Sequence, residues 1–450
     1  MKPATILDVG SSKVVCLCGS MVDKDGLVVH GAGISAYAGF RDGAFLDKQS
    51  LHNAVVECVQ KTEQESRVRI RDVALTVPAA FARLELCDAT IALGTSRLVE
   101  SSDVDKLIHL SLQKAKKEEG WTLMHSTPVF FMVDGVSSTE MPDGVTAEEV
   151  SALVSHMFVR DEYIRTVQDA LDDLGVEISM CVSAQLGEAV MLIPDNERVR
   201  PAVLIDVGYM QTDVAVVENA ALTGLATLPV GGYQFASDLS FGLDVPMDAA
   251  EQAKRRFVFS LDYKDKTEIL RTAAGSKKVS HQAISYIIEA RAGELAGMIR
   301  REMEELGVNL DARPAVYVSG GGLLMMRGGL DFLRNALNMP LKRDMPWTPR
   351  LSSPNYCSAF GALDFVLKAN SSSEESMSKQ QDDRLAKLLQ KIKNIFMKEL
   401  RGTQDVRTGF RGRILCPDQG HRCGRRRLQR SEPHGSVWAP GRGIHRREHG

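Results

Sequence analysis

Two short segments carry an acid, a glycine and a polar turn at identical offsets between apolar runs. Residues 4–17 read Ala-Thr-Ile-Leu-Asp-Val-Gly-Ser-Ser-Lys-Val-Val-Cys-Leu, and residues 202–217 read Ala-Val-Leu-Ile-Asp-Val-Gly-Tyr-Met-Gln-Thr-Asp-Val-Ala-Val-Val. Each predicts a hairpin buried on both faces, with Asp8 or Asp206 closing its first strand and Gly10 or Gly208 in its turn. A glycine turn exposes consecutive backbone N–H groups that cradle a phosphate. A carboxylate at the strand end can hold the hydration shell of Mg²⁺, which keeps several waters when it bridges phosphates. Two facing copies would clamp a nucleotide polyphosphate, with Ser11, Ser12 and Lys13 on one side and Tyr209, Gln211, Thr212 and Asp213 on the other. Taken singly, either hairpin is better read as two buried strands with an incidental acid. A third segment shifts the balance. Residues 315–322, Ala-Val-Tyr-Val-Ser-Gly-Gly-Gly, predict a buried strand running into Gly320, Gly321 and Gly322, where backbone can approach a base or ribose closely.

The rest of the chain must position these turns. Its 450 residues, 44% of them apolar, suffice for roughly two to four compact units. A net charge of -3 argues against a nucleic-acid partner for the whole chain, and no run is long enough to span a bilayer. The chain enters a strand at Ala4 with no signal peptide before it. Eight scattered cysteines, with Cys16 and Cys18 alternating along a strand, read as reduced thiols of a cytoplasmic protein.

In order, residues 4–35 predict three meandering strands, 47–65 a helix with Leu51, Ala54, Val55, Cys58 and Val59 on one side, and 72–77 a strand. Between 83 and 159 the pattern changes to a charged helix over 104–119 and strands over 127–133 and 149–158. Helices follow over 161–174 and 183–192 with a strand over 176–182 between them. After the second hairpin come a glycine turn at Gly231 and Gly232 and helices over 235–242, 247–256, 282–306, 330–337 and 353–368. Gly361 in the last of these permits close packing. Residues 370–381 are Ser- and Glu-rich and read as a tether. Over 382–401 Leu385, Leu388, Leu389, Ile392, Ile395 and Phe396 form one helical stripe, with Lys387, Lys391 and Lys398 opposite. Such a helix can lie in the headgroup plane of an anionic bilayer, each lysine adding roughly 1 kcal/mol. Packing on its own domain is the common alternative; the polar tether argues against it. Beyond 402 arginine replaces lysine without any apolar period, which reads as disordered or out of frame. Cys416, His421 and Cys423 lack a fourth metal ligand there.

Two Asp-x-Gly hairpins followed by Ser-Gly-Gly-Gly resemble the actin/Hsp70/sugar-kinase superfamily, which binds ATP in the cleft between two related domains. Residues 31–47, residues 287–291 (Ile-Ile-Glu-Ala-Arg) and the closing basic helix narrow the resemblance, over roughly 4–400, to the bacterial cell-division FtsA family. It implies an α/β, actin-like two-domain ATPase fold with a small α/β insertion subdomain and a C-terminal amphipathic helix. The implied first domain takes 1–82, 159–200 and 354–369, the insertion 83–158, the second domain 201–232 and 306–353, and a further subdomain 233–305. It further implies ATP and Mg²⁺ as ligands, with Asp8 and Asp206 holding the metal through water, and Glu251 and Lys254 touching ribose and adenine. Gln185 and Glu188 fall where the superfamily positions the attacking water, and Arg291, Arg300 and Arg301 where the acidic FtsZ C-terminal tail would dock. The implied protein polymerises at the division site on the cytoplasmic face of the plasma membrane, tethers FtsZ filaments and recruits later septal proteins. Its ATPase activity would be weak at most, because Tyr209 and Met210 stand where the family has phosphate-loop glycines. A PilM-like pilus-assembly adaptor is the alternative on the same fold.

Overall fold

Both predicted hairpins form, and each seeds a sheet of the same topology. In the first, strand Ala4–Val9 pairs antiparallel with Lys13–Asp23, and the Gly10 N–H donates to the Lys13 carbonyl at 3.0 Å. Gly26–Ala36 continues the meander, and Asp72–Val77 returns parallel to the first strand. In the second, Ala202–Val207 pairs antiparallel with Thr212–Glu218, and the Gly208 N–H donates to the Gln211 carbonyl at 2.9 Å. Ala221–Leu228 continues that meander, and Val316–Ser319 returns parallel. The orders across the two sheets are therefore 26–36, 13–23, 4–9, 72–77, 177–183 and 221–228, 212–218, 202–207, 316–319. The computed structural model describes residues 3–23, 26–259, 266–272, 275–349 and 351–375. The amphipathic segment 382–401 and the arginine-rich 402–450 lie outside the described residues.

Helix Lys48–Ser66 starts because Asp47 accepts from the N–H groups of Gln49 and Ser50, and it buries Leu51, Ala54, Val55, Cys58 and Val59. Between Pro78 and Asp161 the chain builds a separate antiparallel sheet in the order 82–98, 146–160, 121–133, 136–138. Helix Ser101–Lys114 packs Val104, Leu107 and Ile108 against Ile91, Phe131 and Val150 of that sheet. Two expectations need correction here. The strand Ala82–Leu98 was not anticipated. The helix expected to end at 119 stops at Lys114, since Ala115 is extended (φ -63°, ψ 142°) and Glu85 accepts the next N–H, that of Lys116.

Helices Gly232–Leu243, Met247–Arg256 and His281–Glu305 share a second core with one face of the second sheet. Two helices, Ala184–Leu192 and Cys357–Glu375, cross behind both turns. A Cβ on Gly361 would lie 2.8 Å from both Glu188 Cα and the Gly187 carbonyl, so the close packing expected of this glycine is main chain against main chain. The last helix runs on to Glu375, so the polar stretch expected to begin a tether at 370 begins as helix. No helix among the described residues is long and apolar enough to cross a membrane. The six described cysteines are free thiols.

Candidate functional site

A cavity of about 740 Å³ opens between the two turns. The first turn contributes Asp8, Gly10, Ser11, Ser12 and Lys13 to its lining, and the second Asp206, Gly208, Tyr209, Gln211 and Asp213. The crossing helices add Gln185 and Glu188, helix Met247–Arg256 adds Glu251 and Lys254, and the glycine turn adds Gly320, Gly321 and Gly322. Three further residues expected at the ligand make hydrogen bonds around the second turn and the helix that follows it. The buried Thr212 hydroxyl donates to the Val230 carbonyl at 2.7 Å. The Gly232 N–H donates to the Gly208 carbonyl at 2.9 Å, and the Gly231 N–H to Gln234 Oε1 at 2.8 Å.

Four carboxyl groups converge on the cavity, and burial dominates their behaviour. Asp8 accepts from the Thr76 and Ser358 hydroxyls at 2.7 and 2.8 Å, yet burial still raises its pKa. Asp206 is pushed up to about 7 by burial and by the charges of Asp213 and Asp8. Asp213 is pushed up to about 6 by burial, although Thr227 Oγ1, Gln211 Nε2 and Gln185 Nε2 donate to it at 2.8, 2.9 and 2.8 Å. Burial, then Asp206, hold Glu188 well above the usual carboxylate range. Its Oε1 accepts from Ser319 at 2.5 Å, while its buried Oε2 has no partner.

Lys13 is the cation between the two acidic strands. Burial lowers it to about 8 against the pull of Asp8 and Asp206, and its ammonium lies 4.2 Å from the Tyr356 ring centre. A surplus of buried carboxylate and an unpaired Glu188 oxygen fit a divalent cation. No group of three or more ligating side chains among the described residues could hold one directly. The donor set therefore fits Mg²⁺ held through its waters by Asp8 and Asp206.

At the other end, the Lys254 ammonium donates to Glu251 Oε2 at 2.6 Å and to the Gly232 carbonyl at 2.8 Å. The glycine turn packs directly against the Asp206 strand because Gly320 takes a positive φ (+83°); a Cβ there would lie 2.2 Å from Asp206 Oδ1.

A model of the cell division protein FtsA family matches residues 203–361. FtsA of Pseudomonas aeruginosa is 22% identical over 401 residues, covering 86% of this chain and 95% of its own length. FtsA of Bacillus subtilis is 23% identical over 373 residues, covering 80% and 83%. This chain is similar to FtsA proteins along most of its length. A chain of the PilM-PilN type IV pilus biogenesis complex superposes with a TM-score of 0.57 at 16% identity, covering 81% of this chain and 98% of that one, and shows the shared actin-like fold.

The three arginines expected to anchor a partner differ. Arg291 already makes two hydrogen bonds to Asp238, at 2.5 and 3.0 Å, and one to Glu294 at 2.6 Å. Arg300 is part-buried and donates to the Leu337 carbonyl, whereas Arg301 is exposed. Helix His281–Glu305 packs against Gly232–Leu243 and Gly329–Leu337, which supply the Asp238 and Leu337 acceptors of the first two. Sequence reasoning also missed Thr76, Ser358 and Ser319, whose hydroxyls hold the buried acids. The last is the most legible of them, since it ends the strand parallel to that of Asp206.

Proposed function

We propose that this FtsA relative is an actin-like cell-division protein that binds an adenine nucleotide with Mg²⁺ between its two acidic turns. The observation that carries the reading is the duplication itself: two structurally equivalent turns line one cavity, and the glycine turn 320–322 completes it. The first turn's amides and Lys13 take phosphates, Asp8 and Asp206 hold hydrated Mg²⁺, and the Glu251–Lys254 pair lies at the ribose and base end. When bound, Mg²⁺ offsets phosphate charge and the acidity of the cleft. Burial favours the protonated form of Glu188, and the Gln185 amide donates to Asp213, so neither is placed as a strong base toward water. Nucleotide then acts mainly as a conformational ligand, with slow turnover at most.

The names of its relatives support division over pilus assembly. In this reading segment 382–401 holds the protein on the cytoplasmic face of the membrane. Subdomain 233–305, through the exposed Arg301, takes the FtsZ C-terminal tail, while copies of the chain polymerise and later septal proteins dock on 83–158. Equilibrium dialysis of the full chain with labelled adenine nucleotide and Mg²⁺ tests the core of this reading. Saturable binding at one site is expected, and linear, non-saturating uptake would overturn it.

A further inference from the structure

The tips of the two acidic turns touch. The Met210 N–H, in the second turn, donates to Ser11 Oγ, in the first, at 3.2 Å. A Cβ on Gly208 would lie 3.8 Å from the same hydroxyl. Met210 is 5% exposed, and its Cγ lies 4.0 Å from where a Cβ on Gly39 would stand, in the loop folded over the first turn. Outside this contact, the Tyr209 ring centre is 5.9 Å from that of Tyr233 and 5.5 Å from the Lys254 ammonium. Arg41, from the first half of the chain, places its guanidinium 5.6 Å from the Tyr233 ring centre. A hydrogen bond, a buried methionine and a cation–aromatic stack thus join the halves where a glycine-rich second turn would leave a gap.

The gap matters because of what a polyphosphate needs. A phosphate gripped from both sides takes one hydrogen bond of about 2.9 Å from each turn, and its own oxygen-to-oxygen width lies between them. The 3.2 Å between Met210 N and Ser11 Oγ is little more than one such bond. Phosphates lying along the first turn, against Gly10, Ser12 and Lys13 of the cavity lining, need not pass between the tips. A further phosphate between the tips must part Ser11 from Met210 and pull Arg41 away from Tyr233.

We propose that the cleft selects a nucleoside diphosphate over the triphosphate, with Ser11, Tyr209 and Met210 as the specificity-determining residues. The proposal rests on the nucleotide-binding reading above and refines it. The diphosphate fits the halves as they stand, and the triphosphate binds only by separating the tips.

Isothermal titration of the full chain, with Mg²⁺, against ADP and against a non-hydrolysable ATP analogue tests it. ADP is expected to bind more tightly by about tenfold or more, the factor corresponding to one displaced hydrogen bond of a buried donor. Equal or tighter binding of the triphosphate overturns the selectivity while leaving the nucleotide site in place. Saturable binding of neither ligand removes both. Tyr209→Gly combined with Met210→Gly is expected to bring the affinity ratio toward one, with folding checked by circular dichroism. Ser11→Ala, which removes only the hydroxyl, moves the ratio the same way. An unchanged ratio in Ser11→Ala and in the folded double variant overturns the assignment to these residues.

Discussion

Replacing Gly361 with alanine is expected to wedge apart the two helices on which the cleft is hung. The new Cβ would lie 2.8 Å from Glu188 Cα, 2.8 Å from the Gly187 carbonyl and 2.9 Å from the Glu188 nitrogen. All three neighbours are main chain, so no side chain can swing away and the helices must separate by roughly half an ångström or more. Overpacking of this kind costs about 1–3 kcal/mol, and the better helix propensity of alanine returns at most about 1 kcal/mol. With the full return a net loss of up to about 2 kcal/mol follows. Gly293→Ala is the control. That glycine is exposed on helix His281–Glu305, nothing would lie within 4 Å of its Cβ, and propensity alone should stabilise it by about 0.5–1 kcal/mol. Urea unfolding should therefore move the midpoint in opposite directions for one chemical change at two sites. The functional effect follows from the same displacement, because the crossing helices carry Glu188, Gln185 and the Ser358 hydroxyl bonded to Asp8. Nucleotide affinity should fall in Gly361→Ala and hold in Gly293→Ala. A Gly361→Ala protein as stable as the Gly293→Ala control would refute the packing argument.

Three further outcomes are expected. Asp206 is raised to about 7 from 3.8 in the folded state, so folding retains its proton while the unfolded chain loses it. Stability from this group is present below about pH 4 and lost as pH rises toward 7, so Asp206→Asn should gain on the unsubstituted protein over that window without Mg²⁺; a pH-independent difference in urea unfolding contradicts this. His125 goes the other way: burial, then His156, push it down to about 4, so the folded state stays neutral while the unfolded chain charges. Stability is lost as pH falls from about 6.5 to 4, and His125→Leu should show its relative gain at the acid end of that range, with a flat difference as the failing result. In sedimentation with anionic vesicles the full chain should pellet and a chain ending at Glu375 should stay in solution; equal pelleting would remove the tether from the account.

The parts of the site visible from sequence were those written locally. Each hairpin shows its apolar runs, its terminal acid and its glycine within one short segment, and the two segments match at the same offsets. The glycine turn and Gly361 were readable for the same reason: a glycine between apolar runs has few other uses. What escaped depends on partners distant in sequence. Thr76 and Ser358 hold Asp8 from positions 68 and 350 residues away, and neither has a local pattern that sets it apart. The same holds for Arg291, whose charge looks free on a helix until Asp238 is brought beside it by the packing of another. Strand Ala82–Leu98 was missed although its apolar and polar residues alternate near the start, because its later half is mostly exposed and weakly patterned. The hydrogen bonds of Thr212 to Val230 and of Gly232 to Gly208 join segments that only the fold brings together.

Hydrogen exchange of the full chain with and without Mg-nucleotide addresses the account most directly. One ligand held from two sides should slow exchange together in residues 8–13, 206–213 and 320–322, at a single nucleotide concentration midpoint. Protection confined to one of the acidic turns, or to neither, would contradict it.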